Sequence, residues 1–238
     1  MIKVILIGAC GKMASAVASI INQEKDIEIV GGIESVGHPL IGQPFGKGFI
    51  QSDLSKIINN CDVVVEFAIP EITLPNVKIA AKSKKPYIVG TTGIKDINDI
   101  KKYSKKIPIL ISPNFSVGVN ALFNLTQNAI RLLSDFDIEI IETHHKMKRD
   151  APSGTAKKLA EIINKEREQA VKIDSIRIGD IIGEHTVMFV GNGERLELTH
   201  RAFSRNAFAV GVIKAIRFII NQRPGFYSMN DVIGYKPN

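Results

Sequence analysis

Tryptophan is absent from the 238 residues, cysteine occurs only twice, and no apolar run is long enough to span a bilayer. Each absence excludes something. Cys10 and Cys61 form no CxxC pair, so no disulfide scaffold is expected and a reducing compartment is. A membrane helix needs about 18 or more consecutive apolar residues, so no membrane association is expected. The start MIKVILIGAC carries only a short apolar run with no small-residue cleavage site after it, and reads as a first strand rather than a signal peptide. The expected location is the cytoplasm.

Aromatic residues make up only 6% of the chain, which matters because the net charge is +7. A nucleic-acid binder would add an aromatic platform or a recognition motif to such charge. None is present, and much of the excess lies in Lys82, Lys84, Lys85, Lys95, Lys101, Lys102, Lys105 and Lys106, which read as solvated helix faces and turns. No nucleic-acid partner is expected. Hydrophobic residues at 45% and charged residues at 23% are otherwise ordinary for a globular chain.

What is present is an alternation. Ile2–Ile7, Ile27–Ile33, Asp62–Ala68, Pro86–Val89 and Ile107–Ile111 are short apolar runs with helical stretches between them, the first reaching about Glu24. Runs this apolar predict parallel strands buried on both faces, and hence a doubly wound sheet. After Phe115 the rhythm changes. Helices are expected over Val117–Ser134, Ser153–Gln169 (with Ser153 as N-cap) and Phe208–Asn221. Strands are expected over Asp137–His145, Ser175–Asp180, Thr186–Val190 and Arg195–His200, the last two joined by a turn at Gly191–Asn192–Gly193. The reading is an α/β protein: a Rossmann-type domain over 1–115, completed by 208–238, and a smaller α+β domain with a mixed sheet over 116–207.

In VILIGACGKMA, Gly8 and Gly11 stand between a strand and a helix, where glycine lets the backbone approach a pyrophosphate at the helix's positive end. The pattern is G-x-x-G-x-x-A, weak on its own. Glu34 strengthens it by ending the second strand, where a carboxylate can accept hydrogen bonds from a ribose diol. Ser35 follows, with no arginine to pair a 2′-phosphate, which favours NADH over NADPH. Lys12 could still touch such a phosphate. Gly90–Thr91–Thr92–Gly93 and Ser112–Pro113–Asn114–Phe115 follow later strand ends and carry groups suited to a nicotinamide carboxamide.

The densest polar cluster is ETHHKMKRDAPSGTA, residues 142 to 156. On a strand, His144 and His145 face opposite sides unless the strand ends there. Lys146, Lys148 and Arg149 follow, and Ser153–Gly154–Thr155 opens a helix whose N-terminus suits a carboxylate. Such a set can bind a small dicarboxylate and protonate it, although composition alone equally allows a basic surface loop. Ligation of a metal by His144, His145, His185 and His200 has no supporting spacing, and no metal is expected.

The run from His144 to Ala156 resembles the signature of the 4-hydroxy-tetrahydrodipicolinate reductase family, also called dihydrodipicolinate reductase. Further matches are GACGKM at 8–13, GTTG at 90–93, NFSVGVN at 114–120, GEHTVMF at 183–189 and ERLELTHRAFSR at 194–205, in the family's order. The resemblance implies reduction of the cyclic product of dihydrodipicolinate synthase by NAD(P)H, and a homotetramer built by the second domain. It implies that His144 handles a proton, and that Lys148 donates a proton and pairs with a substrate carboxylate. His145, Gly154 and Thr155 would hold the substrate. Gly8, Ala9, Cys10, Gly11, Lys12, Met13, Glu34, Gly90, Thr91, Thr92, Ser112, Pro113, Asn114 and Phe115 would line the cofactor. Ala14 departs from the pattern where many members have a third glycine, as does Ser35. The stretch before Arg177 is short, as if a surface loop were trimmed.

Overall fold

The structure, a computed structural model, describes residues 1–167 and 170–235. The chain divides into two compact units, one from Met1–Phe115 with the segment beginning at Phe208, the other from Ser116–Ala207. In chain order the first unit runs β1 (Ile2–Ile7), α1 (Lys12–Ile21), β2 (Ile27–Ile33), β3 (Pro44–Phe45), β4 (Gly48–Gln51), α2 (Leu54–Ile57), β5 (Val63–Glu66), α3 (Pro70–Lys82), β6 (Tyr87–Val89), α4 (Ile97–Lys101) and β7 (Pro108–Ile111). The second holds α5 (Val117–Leu132), β8 (Asp137–His144), α6 (Gly154–Asn164), β9 (Lys172–Arg177), β10 (Gly183–Gly191) and β11 (Glu194–Ala202). The chain then continues through α7 (Asn206–Ile219), β12 (Gly225–Tyr227) and α8 (Met229–Val232).

The first sheet has the order β12-β7-β6-β5-β1-β2-β4-β3 among the described residues. Its pairings are parallel except for the short β3–β4 hairpin. Val4, Ile5, Leu6 and Ile7 are fully buried, as a strand covered on both faces must be, and each such side chain stabilises the fold by roughly 1.5–3 kcal/mol. Successive strands leave β1 in opposite directions, so a crevice opens at its C-terminal end, between β2 and β5. β5 ends in Glu66, a fully buried carboxylate. It accepts hydrogen bonds from Thr73, from Asn76 Nδ2 at 3.1 Å, from the Tyr87 hydroxyl at 2.7 Å and from Thr91 Oγ1 at 2.9 Å.

The second sheet has the order β11-β10-β8-β9, with β8–β9 parallel and the other pairs antiparallel. Its alternation is legible in burial. Ile140, Val187 and Phe189 join Leu122, Phe123 and Leu159 in one core beneath α5 and α6. Ile141, Thr143, Thr186 and Met188 point to the other, partly exposed face.

Several boundaries differ from expectation. The strand expected over Ser175–Asp180 lies at Lys172–Arg177, because Gly179 takes a left-handed conformation, φ +53°, and turns the chain away. The helix expected to reach Gln169 ends at Asn164, whose Oδ1 accepts from Val171 N at 2.9 Å. Residues 168–169, at the end of that expected helix, and 236–238, at the end of the expected first domain, lie outside the described residues. β3, β4 and β12 were not expected; each is four residues or fewer, too short for any periodicity to register.

Candidate active site

Strand register assembles a polar row on the helix-facing side of the second sheet. Glu142 on β8 lies opposite His185 on β10 and beside Ser175 on β9. His185 pairs in turn with His200 on β11, and His144 pairs with Arg177 on β9. Five chemically active side chains from four strands thus share one end of one face. Glu142 is fully buried and accepts from Arg177 twice, Nη1 to Oε2 at 3.0 Å and Nη2 to Oε1 at 2.7 Å. Its Oε1 also takes the backbone N–H of Ser153 at 3.2 Å, and Oε2 bonds Nδ1 of His144 closely. Burial pushes this carboxyl up, but hydrogen bonds from Arg177, Ser175 and His144 outweigh burial and hold it at about 2.

β8 ends at His144, which is buried, while His145 is half-buried and turns into the following loop. Burial lowers the pKa of His144; Glu142 opposes that, and Lys148 and Arg177 reinforce it. With Nδ1 engaged by Glu142, Nε2 is the nitrogen left to exchange a proton. It lies beside Gly183, where an added Cβ would approach it to 2.9 Å. The His185 ring meets that of His144 edge to face, centroids 5.1 Å apart. Ser153 caps α6 by accepting from Ala156 N at 3.2 Å, and its hydroxyl shares a hydrogen bond with His185 Nε2 at 2.9 Å. The other ring nitrogen of His185, Nδ1, has no partner among the described residues. Burial first, then the charge of His144, brings His185 down to about 3.

The loop between β8 and α6 is tied to this row. Arg177 Nη2 donates to the Asp150 carbonyl at 2.6 Å, and His145 N to the Ile181 carbonyl at 2.7 Å. Lys148 is mostly shielded and pairs with the exposed carboxylate of Asp150. Gly154, first residue of α6, is exposed, with open space where a side chain would stand. A helix start offers N–H groups that lack intrahelical partners. The corner presents a lysine, an imidazole nitrogen and such a helix start.

Ligand atoms of Glu142, His144 and His185 also lie within 4.8 Å of one another, a spacing that a cation could use. Two of these groups already have partners. The carboxylate carries a guanidinium, and His185 Nε2 holds the Ser153 hydroxyl. The arrangement suits proton handling better than metal binding.

In the first unit a cleft of about 610 Å³ opens at the end of β1, within the range of ligand sites. Gly8, Gly11, Glu34 and Ser35 line it, with Val36 and Ile69 as apolar walls. Gly8 has φ +75°, and a Cβ there would lie 2.2 Å from the Phe67 carbonyl oxygen. Gly11 caps α1 with no side-chain hydrogen bond, and no acid stands in the helix's first turn, so the turn suits an anion. Glu34 Oε1 accepts from Cys10 N at 2.8 Å, bracing the turn as well as facing the cleft. Ala9 is buried, Cys10 and Met13 half-buried, and Lys12 exposed. Gly90 packs its open face on the Phe67 ring. The Thr91 hydroxyl is spent internally, accepting from Ala68 N at 3.0 Å and donating to Glu66, while Thr92 is exposed. Ser112 Oγ closes its own turn onto the Asn114 carbonyl at 2.6 Å. Pro113 is exposed, and Phe115 stacks edge-on against Phe67.

The chain matches the family described as dihydrodipicolinate reductase, N-terminus, over residues 2–115, and the corresponding C-terminus family over 118–233. It belongs to the dihydrodipicolinate reductase family. A protein named 4-hydroxy-tetrahydrodipicolinate reductase from Aquifex aeolicus (strain VF5) is 40% identical, with 98% of this chain and 99% of that one covered. One of the same name from Geotalea uraniireducens (strain Rf4) is 36% identical, covering 99% and 100%. Among solved structures, dipicolinate-bound dihydrodipicolinate reductase from Paenisporosarcina sp. TG-14 superposes with a TM-score of 0.84 at 23% identity, covering 98% and 99%. The expected fold class and family therefore hold.

Four members of the row went unassigned in the sequence. Glu142 is two residues before His144, on the same strand face, which alternation alone could have revealed. Arg177, His185 and His200 come from other strands, and only the register brings them in.

Proposed function

We propose that this member of the dihydrodipicolinate reductase family reduces 4-hydroxy-tetrahydrodipicolinate to tetrahydrodipicolinate, on the route to diaminopimelate and lysine. The carrying observation is the row pinned by Glu142, which holds His144 through Nδ1 and Ser153 at the start of α6, and through Arg177 the loop that carries Lys148. When bound, NAD(P)H supplies the hydride. The cleft fits such a group, since it is of ligand size, Gly8, Gly11 and Glu34 line it, and α1 begins with no side-chain cap and no acid in its first turn.

Lys148 pairs with one substrate carboxylate and delivers a proton, and His144 Nε2 exchanges a proton at the same centre. The second carboxylate sits on the backbone of Gly154 and Thr155, with His145 closing the loop side. In the first unit Gly8 to Met13 hold the pyrophosphate and Glu34 the ribose diol. Gly90 to Thr92 and Ser112 to Phe115 form the wall at the nicotinamide end. Ser35, standing where an arginine would grip a 2′-phosphate, supports NADH as the preferred reductant. The open face of the mixed sheet supports a homotetramer: Ile141, Thr143, Thr186 and Met188 lie on it half-buried, with Ile176 and Val190 exposed. A cytoplasmic location is supported by two free thiols, and among the described residues no helix is long and apolar enough to cross a membrane.

The test is a coupled assay. Dihydrodipicolinate synthase, pyruvate and aspartate semialdehyde generate the substrate, and loss of NADH or NADPH is followed. Synthase-dependent oxidation, faster with NADH, is expected. Folded protein that binds nucleotide yet oxidises neither would overturn the assignment.

A further inference from the structure

The row contains two charged groups that touch no expected ligand position, Glu142 and Arg177. A buried carboxylate needs its charge matched and its lone pairs filled. Here Arg177 does both with two guanidinium hydrogen bonds, and its Nη2 also reaches the Asp150 carbonyl at 2.6 Å. The same carboxylate grips Nδ1 of His144 and the backbone N–H of Ser153, the N-cap of α6. One side chain thus joins the imidazole, the helix start and, through Arg177, the loop that carries Lys148.

We infer that Glu142 and Arg177 are positioning residues for the reduction. Glu142 holds His144 with Nε2 as its working nitrogen and fixes the start of α6, and Arg177 locks Glu142 in that pose. This rests on the reading of His144 as the proton-handling group. The chemistry is general. A carboxylate on Nδ1–H fixes the tautomer, orients the ring and stabilises the imidazolium without itself taking the proton. Arg177 supplies what a buried carboxylate otherwise lacks, a fixed fork of donors that lysine cannot reproduce.

The charges around His144 make the two residues separable. Glu142 lies on its own strand, Lys148 and Asp150 on the following loop, Arg177 on β9 and His185 on β10, with His200 beyond His185 on β11. Removing the negative member should make His144 harder to protonate. Removing the positive member, which leaves an unmatched carboxylate on Nδ1, should make it easier. A scaffold role alone would shift neither in opposite directions.

The experiment uses the full chain as Glu142→Gln, Arg177→Met and Arg177→Lys. The ring nitrogens of His144, assigned with a His144→Asn control, are titrated by NMR without ligand, and kcat and KM are measured for both substrates. The expected result is a downward move of the His144 titration in Glu142→Gln and an upward move in Arg177→Met. In both, kcat falls at least tenfold with the nucleotide KM within twofold, and Arg177→Lys recovers part of the loss. Should Glu142→Gln not fold, the two Arg177 variants carry the test. Unmoved titrations with kcat within twofold in folded variants would overturn the proposal. The titration needs no turnover, so a wild-type protein without reductase activity would sink the functional reading while these shifts still judge the pair.

Discussion

Lys148 Nζ lies 2.8 Å and 2.9 Å from the two carboxylate oxygens of Asp150, two residues further along the chain. The lysine assigned to a substrate carboxylate thus already holds a carboxylate of its own. Asp150 is largely exposed, and pairs of this kind contribute about 0–1 kcal/mol, which a bound dicarboxylate can displace. Asp150→Asn is therefore expected to change the substrate KM by less than about fivefold and to leave kcat within a few-fold. Steady-state kinetics check this, and a collapse of kcat would mean that Asp150 does more than occupy the lysine.

Glu34 lines the cleft and braces the nucleotide turn, Oε1 accepting from Cys10 N and Oε2 from Ser35 N. Hydrogen bonds to a charged group contribute about 1.5–3 kcal/mol. Glu34→Ala is expected to raise the NADH Kd by roughly 10- to 100-fold, with the dicarboxylate KM little changed. Ser35→Arg should raise the NADPH-to-NADH rate ratio. Fluorescence titration and paired rate measurements read both effects.

Gly8 combines a left-handed backbone with the close approach of the Phe67 carbonyl. Gly8→Ala sets a methyl against that oxygen, and the backbone conformation alone costs on the order of 1–3 kcal/mol. A lower Tm and loss of nucleotide binding are expected together, by thermal denaturation and titration. Gly93→Ala is the control: it shares the positive φ but has open space around it, so it should lose stability only.

Acid should destabilise the second unit in two stages. His185 is held at about 3 when folded, against 6.5 for an ordinary histidine, by burial and then by His144. The unfolded chain binds that proton first, so stability falls as pH drops from about 6.5 toward 3. Glu142, at about 2 against 4.5, adds a second loss below about pH 4.5, since its depressed value stabilises only while the group stays ionised. His185→Phe is expected to flatten Tm against pH between about 6.5 and 4.5, leaving the smaller shares of His144 and His200. An unchanged slope would mean that His185 is not the group titrating.

The parts legible in the sequence were those written contiguously. Buried β-branched runs announced the parallel strands, two glycines and an acid announced the nucleotide turn, and residues 142 to 156 announced a basic, helix-opening loop. Pairings distant in sequence were not legible. Arg177 is 35 residues from Glu142, and Ser153 is 32 from His185. Nothing local marks either contact, because each depends on which strands become neighbours. Thr91 carries a contact that its residue type does not announce. Its hydroxyl suits a ligand by type, yet the buried carboxylate of Glu66 claims it. Glu66 itself reads as one more residue of an apolar strand, and its four donors come from a helix, a neighbouring strand and a loop.

The most direct measurement is the kinetics of Lys148→Ala in the coupled assay, alongside its affinity for NADH. Both a proton source and a carboxylate partner are lost, so kcat/KM for the dicarboxylate should fall at least about 100-fold, with the NADH Kd within twofold of wild type. A kcat/KM within a few-fold of wild type would contradict the account, because the corner at the start of α6 would then not be where the dicarboxylate is held and protonated.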